Sequence, residues 1–97
     1  MGGKGLGMGR YLREARMHAD RVKHYYDWAG PLGHQQAKHY MYKLEGLVGR
    51  ADRSKNDKSD VAPILALLKV ARVQMEEMAK RRDEWAQRHN QSPSQEG

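Results

Sequence analysis

Cysteine, phenylalanine and threonine are absent from these 97 residues, and Ile64 is the only isoleucine. Without cysteine there can be no disulfide framework and no thiolate metal site, which argues against a secreted scaffold. Long apolar runs are missing too. The strongest, Ile64 to Leu68, ends at Lys69, far short of the roughly 18 apolar residues that cross a bilayer, so no transmembrane span is expected. No secretory h-region is evident, and Leu6 stands where a myristoylation motif needs Ser or Thr.

Chemistry-bearing groups are equally sparse. The hydroxyl side chains of Ser54, Ser59, Ser92 and Ser94 fall in expected turns or the tail, not held beside a histidine as a catalytic serine must be. Glu76–Glu77 and Asp83–Glu84 are sequence neighbours, so they point to different sides of a helix and interleave with cations. His18 and His24 are six apart and His34 and His39 five apart, whereas a helical metal pair needs three or four. Gly3–Lys4–Gly5–Leu6–Gly7–Met8–Gly9 has neither a preceding strand nor a Gly-Lys-Ser/Thr step, so it is no phosphate loop. The expectation is a non-enzyme with no cofactor, no metal and no small-molecule substrate.

What the chain does have is helical periodicity. Val61, Ile64, Leu68, Ala71, Met75, Met78, Arg82 and Trp85 recur three and four apart, broken only by Arg82. Leu12, Ala15, Ala19, Val22, Tyr26 and Ala29 repeat the pattern. So do Ala37, Tyr40 or Met41, Leu44, Leu47 or Val48, and Ala51. Three such stripes predict an all-α fold: a helical hairpin plus one long amphipathic C-terminal helix. The first helix is expected from about Gly9 to Trp28, ended by Gly30–Pro31–Leu32–Gly33. The second is expected from about His34 to Arg53; its interior Gly46 and Gly49 point to close approach of another backbone or to a frayed end. After an exposed turn at 54–59, Ser59 or Asp60 is expected to cap the third helix, with Pro63 in its first turn and its end near His89.

This divides the chain into a flexible Gly-rich arm (1–9), one three-helix domain (10–89) and a polar tail (90–97). The long helix is apolar almost all round from Ile64 to Val73 and strongly charged from Glu76 on. Its start is therefore expected to be buried, and its section from Lys80 to His89 to overhang. With 38% apolar residues, the core is thin, and much apolar surface is expected to be covered by another chain.

Net charge is +6, unevenly spread. Residues 1–59 hold twelve Lys/Arg against six acids, and residues 60–97 hold six against six. A basic head suits RNA, phospholipid headgroups or an acidic protein face. Aromatics interleave with cations from His24–Tyr25–Tyr26–Asp27–Trp28 through Lys38–His39–Tyr40–Met41–Tyr42–Lys43, as at protein interfaces and base-stacking surfaces. The residues expected to meet partners are Arg10, Arg13, Arg16, Tyr25, Trp28, Tyr42, Leu67, Val70, Arg81 and Trp85. The partners expected are larger protein subunits in a multi-protein assembly, with an anionic lipid surface or RNA as further contacts. An acid-free, basic start suits a mitochondrial respiratory or ATP synthase complex, with the cytoplasm as the other location and secretion not expected. The competing function is an RNA-binding ribonucleoprotein component.

Overall fold

A computed structural model describes residues 9–90. Apart from Gly9, the Gly-rich arm lies outside them, as does the polar tail from residue 91. The order is α1 (Arg10–Trp28), a 3-10 turn (Gly30–Gly33), α2 (His34–Arg53), a second 3-10 turn (Lys58–Asp60) and α3 (Val61–Asn90). The domain is all-α, as the three stripes predict, and the bounds of α2 fall where expected.

Glycine shapes the first turn at two positions. Gly30 has φ +65°, a conformation with little steric cost only without a side chain. At Gly33 a Cβ would lie 2.7 Å from the Ala29 Cβ and 2.9 Å from the Tyr25 carbonyl oxygen. The α1–α2 corner is therefore too tight for any other residue there. In α2 the situation reverses: a Cβ on Gly46 would meet nothing, and one on Gly49 only the Arg53 Nη1 at 3.5 Å. The helix continues to Arg53, so neither a neighbouring backbone of this chain nor fraying explains these glycines.

The core is one seam between the three helices. Ala15 and Val22 of α1, Ala37, Met41, Leu44, Leu47 and Ala51 of α2, and Ile64, Leu68, Ala71 and Met78 of α3 form it. Four of these eleven are alanine, so the helices sit close over little apolar volume. α1 turns a different edge to each neighbour. His18, buried beside the Tyr40 ring, and Tyr25, stacked on Tyr40 with centroids 6.1 Å apart, face α2. Tyr26 faces α3, donating its hydroxyl to Glu77 at 2.6 Å. That division is why His18 is buried although the apolar pattern passes it over, while Ala29, one residue past the helix end, is exposed.

Two expectations about α3 need correction. Burial is not confined to its start: Met78 is fully buried, Arg81, Arg82 and Trp85 are half-buried, and α3 packs against α1 and the Gly30–Gly33 turn. Nor is its first half enclosed, because Leu65, Ala66, Val70 and Val73 are exposed. The reason is geometric: two neighbours cover one side of a helix and leave the other open.

A third correction concerns Asp60. Its carboxylate accepts from the Leu12 backbone N–H at 3.1 Å, on the first turn of α1 rather than of α3. α1 has no side-chain cap of its own, no acid in its first turn and no base in its last. Asp60, 3% exposed, supplies what is missing: an acceptor for an orphan N–H and a negative charge at the positive end of the helix dipole. Gly9 makes room for it, since a Cβ there would overlap the Asp60 carboxylate. At the other end, Arg81 donates from Nη1 to the Tyr26 carbonyl oxygen at 2.9 Å and covers the Tyr26 ring at 4.4 Å. Its positive charge meets the negative end of α1. The stretch from Asp60 to Arg81 thus caps α1 at both termini, which aligns α1 and α3 in parallel.

Asp60→Ala is expected to lower unfolding stability by about 2 kcal/mol, because a buried charged acceptor is lost and the Leu12 N–H is orphaned. Asp60→Asn, which keeps an acceptor oxygen, loses less; urea denaturation of the two variants checks the order. Gly46→Ala is expected to raise stability by about 1 kcal/mol in the same assay, since the helix gains propensity and nothing is displaced.

Candidate partner-binding surfaces

The ten residues expected to meet partners do not share one face. Arg10, Arg13 and Trp28 lie on the outward side of α1, with Trp28 78% exposed. Arg16 is exposed at the edge of α1 toward α3. Tyr42 projects from the outer side of α2, where it borders a shallow hollow with Lys38, Met41 and Glu45. Tyr25 is instead half-buried against Tyr40. The aromatic–basic segment is therefore divided: Tyr25, Tyr26 and Tyr40 pack inward, and Trp28 and Tyr42 face out.

Arg81 and Trp85 are engaged within the chain. Besides its contacts with Tyr26, Arg81 lies 3.6 Å from the Glu77 carboxylate. The hydrogen bond to Glu77 raises the Tyr26 hydroxyl pKa above its ordinary value. Trp85 stacks on His89 with centroids 4.1 Å apart, and the His89 Nδ1 is 2.8 Å from the Trp85 carbonyl oxygen.

Leu67 and Val70 wall a groove of about 150 Å³ between α1 and α3. Ala19 and Ala71 form its floor, and Asp20, Lys23 and Gln74 its rim. Lys23 donates to Asp27 at 2.6 Å, and this bond raises the Lys23 pKa. Beside the groove, Val70 and Val73 are 58% and 59% exposed. With Ala62 and Ala66 they form a second apolar stripe on α3, four and three residues apart, pointing away from the core. Val73 and Leu65 went unnamed as contact residues from sequence, although an apolar arc wider than one packing face was the available signal. Met17 and Leu32 give no such signal, since each stands outside the three apolar stripes.

One polar contact joins α3 to the start of α2. Arg82 Nη1 lies 3.2 Å from His34 Nδ1. A guanidinium only donates, so this ring nitrogen accepts and the bonded imidazole is neutral. Burial lowers the His34 pKa first, and the Arg82 and Lys38 charges lower it further. Among the described residues, no three His, Asp or Glu side chains gather where they could hold a metal ion, and no helix is long and apolar enough to cross a membrane. No protein-family model matches the chain, and no curated protein or solved structure is significantly similar to it.

The neutral His34 makes stability depend on pH with a definite sign. Its folded pKa lies below the unfolded value, so the unfolded state binds the proton more readily. The contribution is complete above the unfolded pKa of about 6.5 and is lost as pH falls below it. Melting temperatures recorded down to about pH 5 are expected to drop more for the wild type than for His34→Gln, whose side chain does not titrate. The His34 ring is expected to titrate by NMR below about 6.5.

Proposed function

We propose that this chain is a small, basic, non-catalytic accessory subunit that packs between larger proteins of an assembly. The observation that carries this reading is the outer stripe of α3: Ala62, Ala66, Val70 and Val73 are exposed beside a groove floored by alanine. A contiguous apolar strip on a soluble surface marks a contact site, and a small-residue floor lets another helix come close. The alanine-rich core supports dependence on a partner, because little apolar area stabilises the domain alone.

A non-catalytic role fits the serines as well. Ser54 donates its hydroxyl to Asp57 at 2.8 Å and so holds the turn before α3. The mitochondrial placement, in a respiratory or ATP synthase complex, rests on the basic charge of residues 1–59. The second reading, an RNA-binding ribonucleoprotein component, draws on Tyr42 exposed beside Lys38 on α2. Aromatic and cationic groups together suit base stacking and phosphate contact.

The test is native electrophoresis of extracts from the source cells expressing the tagged full chain. Wild type is expected in a discrete high-mass band that persists in salt. Val70→Asp with Val73→Asp is expected to run free while keeping wild-type helicity by circular dichroism, as both positions are exposed. Replacing Arg10, Arg13 and Arg16 together with Gln reports whether the basic head takes part. Wild type migrating only as a free chain would overturn the assembly reading. Co-migration with RNA that falls steeply with salt, as phosphate contacts do, would replace it with the second.

A further inference from the structure

A different face of the molecule carries an independent inference. Arg10, Arg13, Met17, Arg21, His24 and Trp28 follow one another at three- and four-residue steps along α1, and all six are exposed. They form a straight stripe about 27 Å long on the side turned away from α2 and α3. No acid lies in it. The three acids of α1 flank it and face elsewhere: Glu14 lies 3.4 Å from His18 Nε2, Asp27 binds Lys23, and Asp20 lines the groove against α3. Arg10 has one distant anionic neighbour, Asp57 at 3.8 Å, and neither Arg13 nor Arg21 has an ion-pair partner among the described residues.

The apolar members of this face are large. Met17 is 58% exposed and Trp28 78%. An indole and a long apolar chain among guanidinium groups, those of Arg13 and Arg21 without an ion-pair partner among the described residues, match the layering of a bilayer surface. Cations meet phosphate while tryptophan settles at the headgroup level. A nucleic acid would pair with the arginines but offers Met17 no apolar layer, and a convex helix presents no groove to follow a strand.

We propose that the outward stripe of α1 is a peripheral docking surface for an anionic phospholipid bilayer, with the guanidinium groups on headgroup phosphates and Trp28 and Met17 at the interface. The contact is reversible and parallel to the helix, and no segment spans the membrane. Arg10, Arg13 and Arg21 provide the charge selectivity, and the apolar groups provide a component that salt does not screen.

Co-sedimentation of the full chain with vesicles tests this. Vesicles of phosphatidylcholine mixed with phosphatidylglycerol are expected to retain the protein, and vesicles of phosphatidylcholine alone to retain little. Arg13→Gln with Arg21→Gln is expected to lower partitioning about 30-fold, from the usual contribution of each basic residue at an anionic surface. Trp28→Ala is expected to weaken binding while leaving its salt dependence intact. Tryptophan emission of the wild type is expected to shift to the blue on the mixed vesicles, which needs no variant to fold. Equal retention on the two vesicle types, or no emission shift, would overturn the proposal. So would retention on polyuridylate that matches the mixed vesicles and is lost in the same double variant. Failure here leaves the α3 contact standing, because Val70 and Val73 lie on another helix.

Discussion

α1 depends on the stretch from Asp60 to Arg81, the turn before α3 and α3 itself, for both of its ends. Its sequence provides no cap at the N-terminus and no cation in the last turn, so an isolated α1 would leave its terminal N–H and C=O groups to water. Asp60 and Arg81 supply the two complementary charges from one continuous stretch of chain. They lie twenty-one residues apart and reach groups fourteen residues apart on α1, the Leu12 N–H and the Tyr26 carbonyl oxygen, in the same chain order, so the two helices run in parallel. This pairing sets the register of α1 on α3.

That register decides which surface groups remain free. Arg81 beside Tyr26 places Arg82 beside His34. Cations that a linear reading would send to a partner are thereby bound within the chain. Among what remains exposed are an apolar stripe on α3 and a cationic stripe with tryptophan and methionine on α1. These two faces call for different partners: one suits an apolar helix surface, the other an anionic plane.

Much of the fold was legible in the sequence, and α2 shows why. Its apolar positions are bounded by a Gly-Pro corner and a polar turn, and every buried residue from Ala37 to Ala51 sits on the expected stripe. α1 was less clear because it serves two neighbours, so its packing edge is broad and includes His18. α3 misled in a further way. Apolar residues on nearly all sides of Ile64–Val73 read as full enclosure, but a helix with two neighbours can bury only one arc. The surplus Val70 and Val73 became the candidate contact instead. Of the expected contact residues, Trp28, Tyr42 and Val70 are exposed, whereas Tyr25 and Arg81 hold the fold together.

Local patterning by itself determined three helices, their approximate limits and the positive charge of residues 1–59. These follow from side-chain spacing and turn chemistry, both short-range properties. Only tertiary structure decided that Asp60 serves α1 rather than α3 and that Arg81 closes the opposite end. It also decided that the aromatic–basic segment splits into inward and outward halves. Those outcomes join residues about fifty positions apart, and no periodicity along the chain records which distant helix end a carboxylate or guanidinium group will reach.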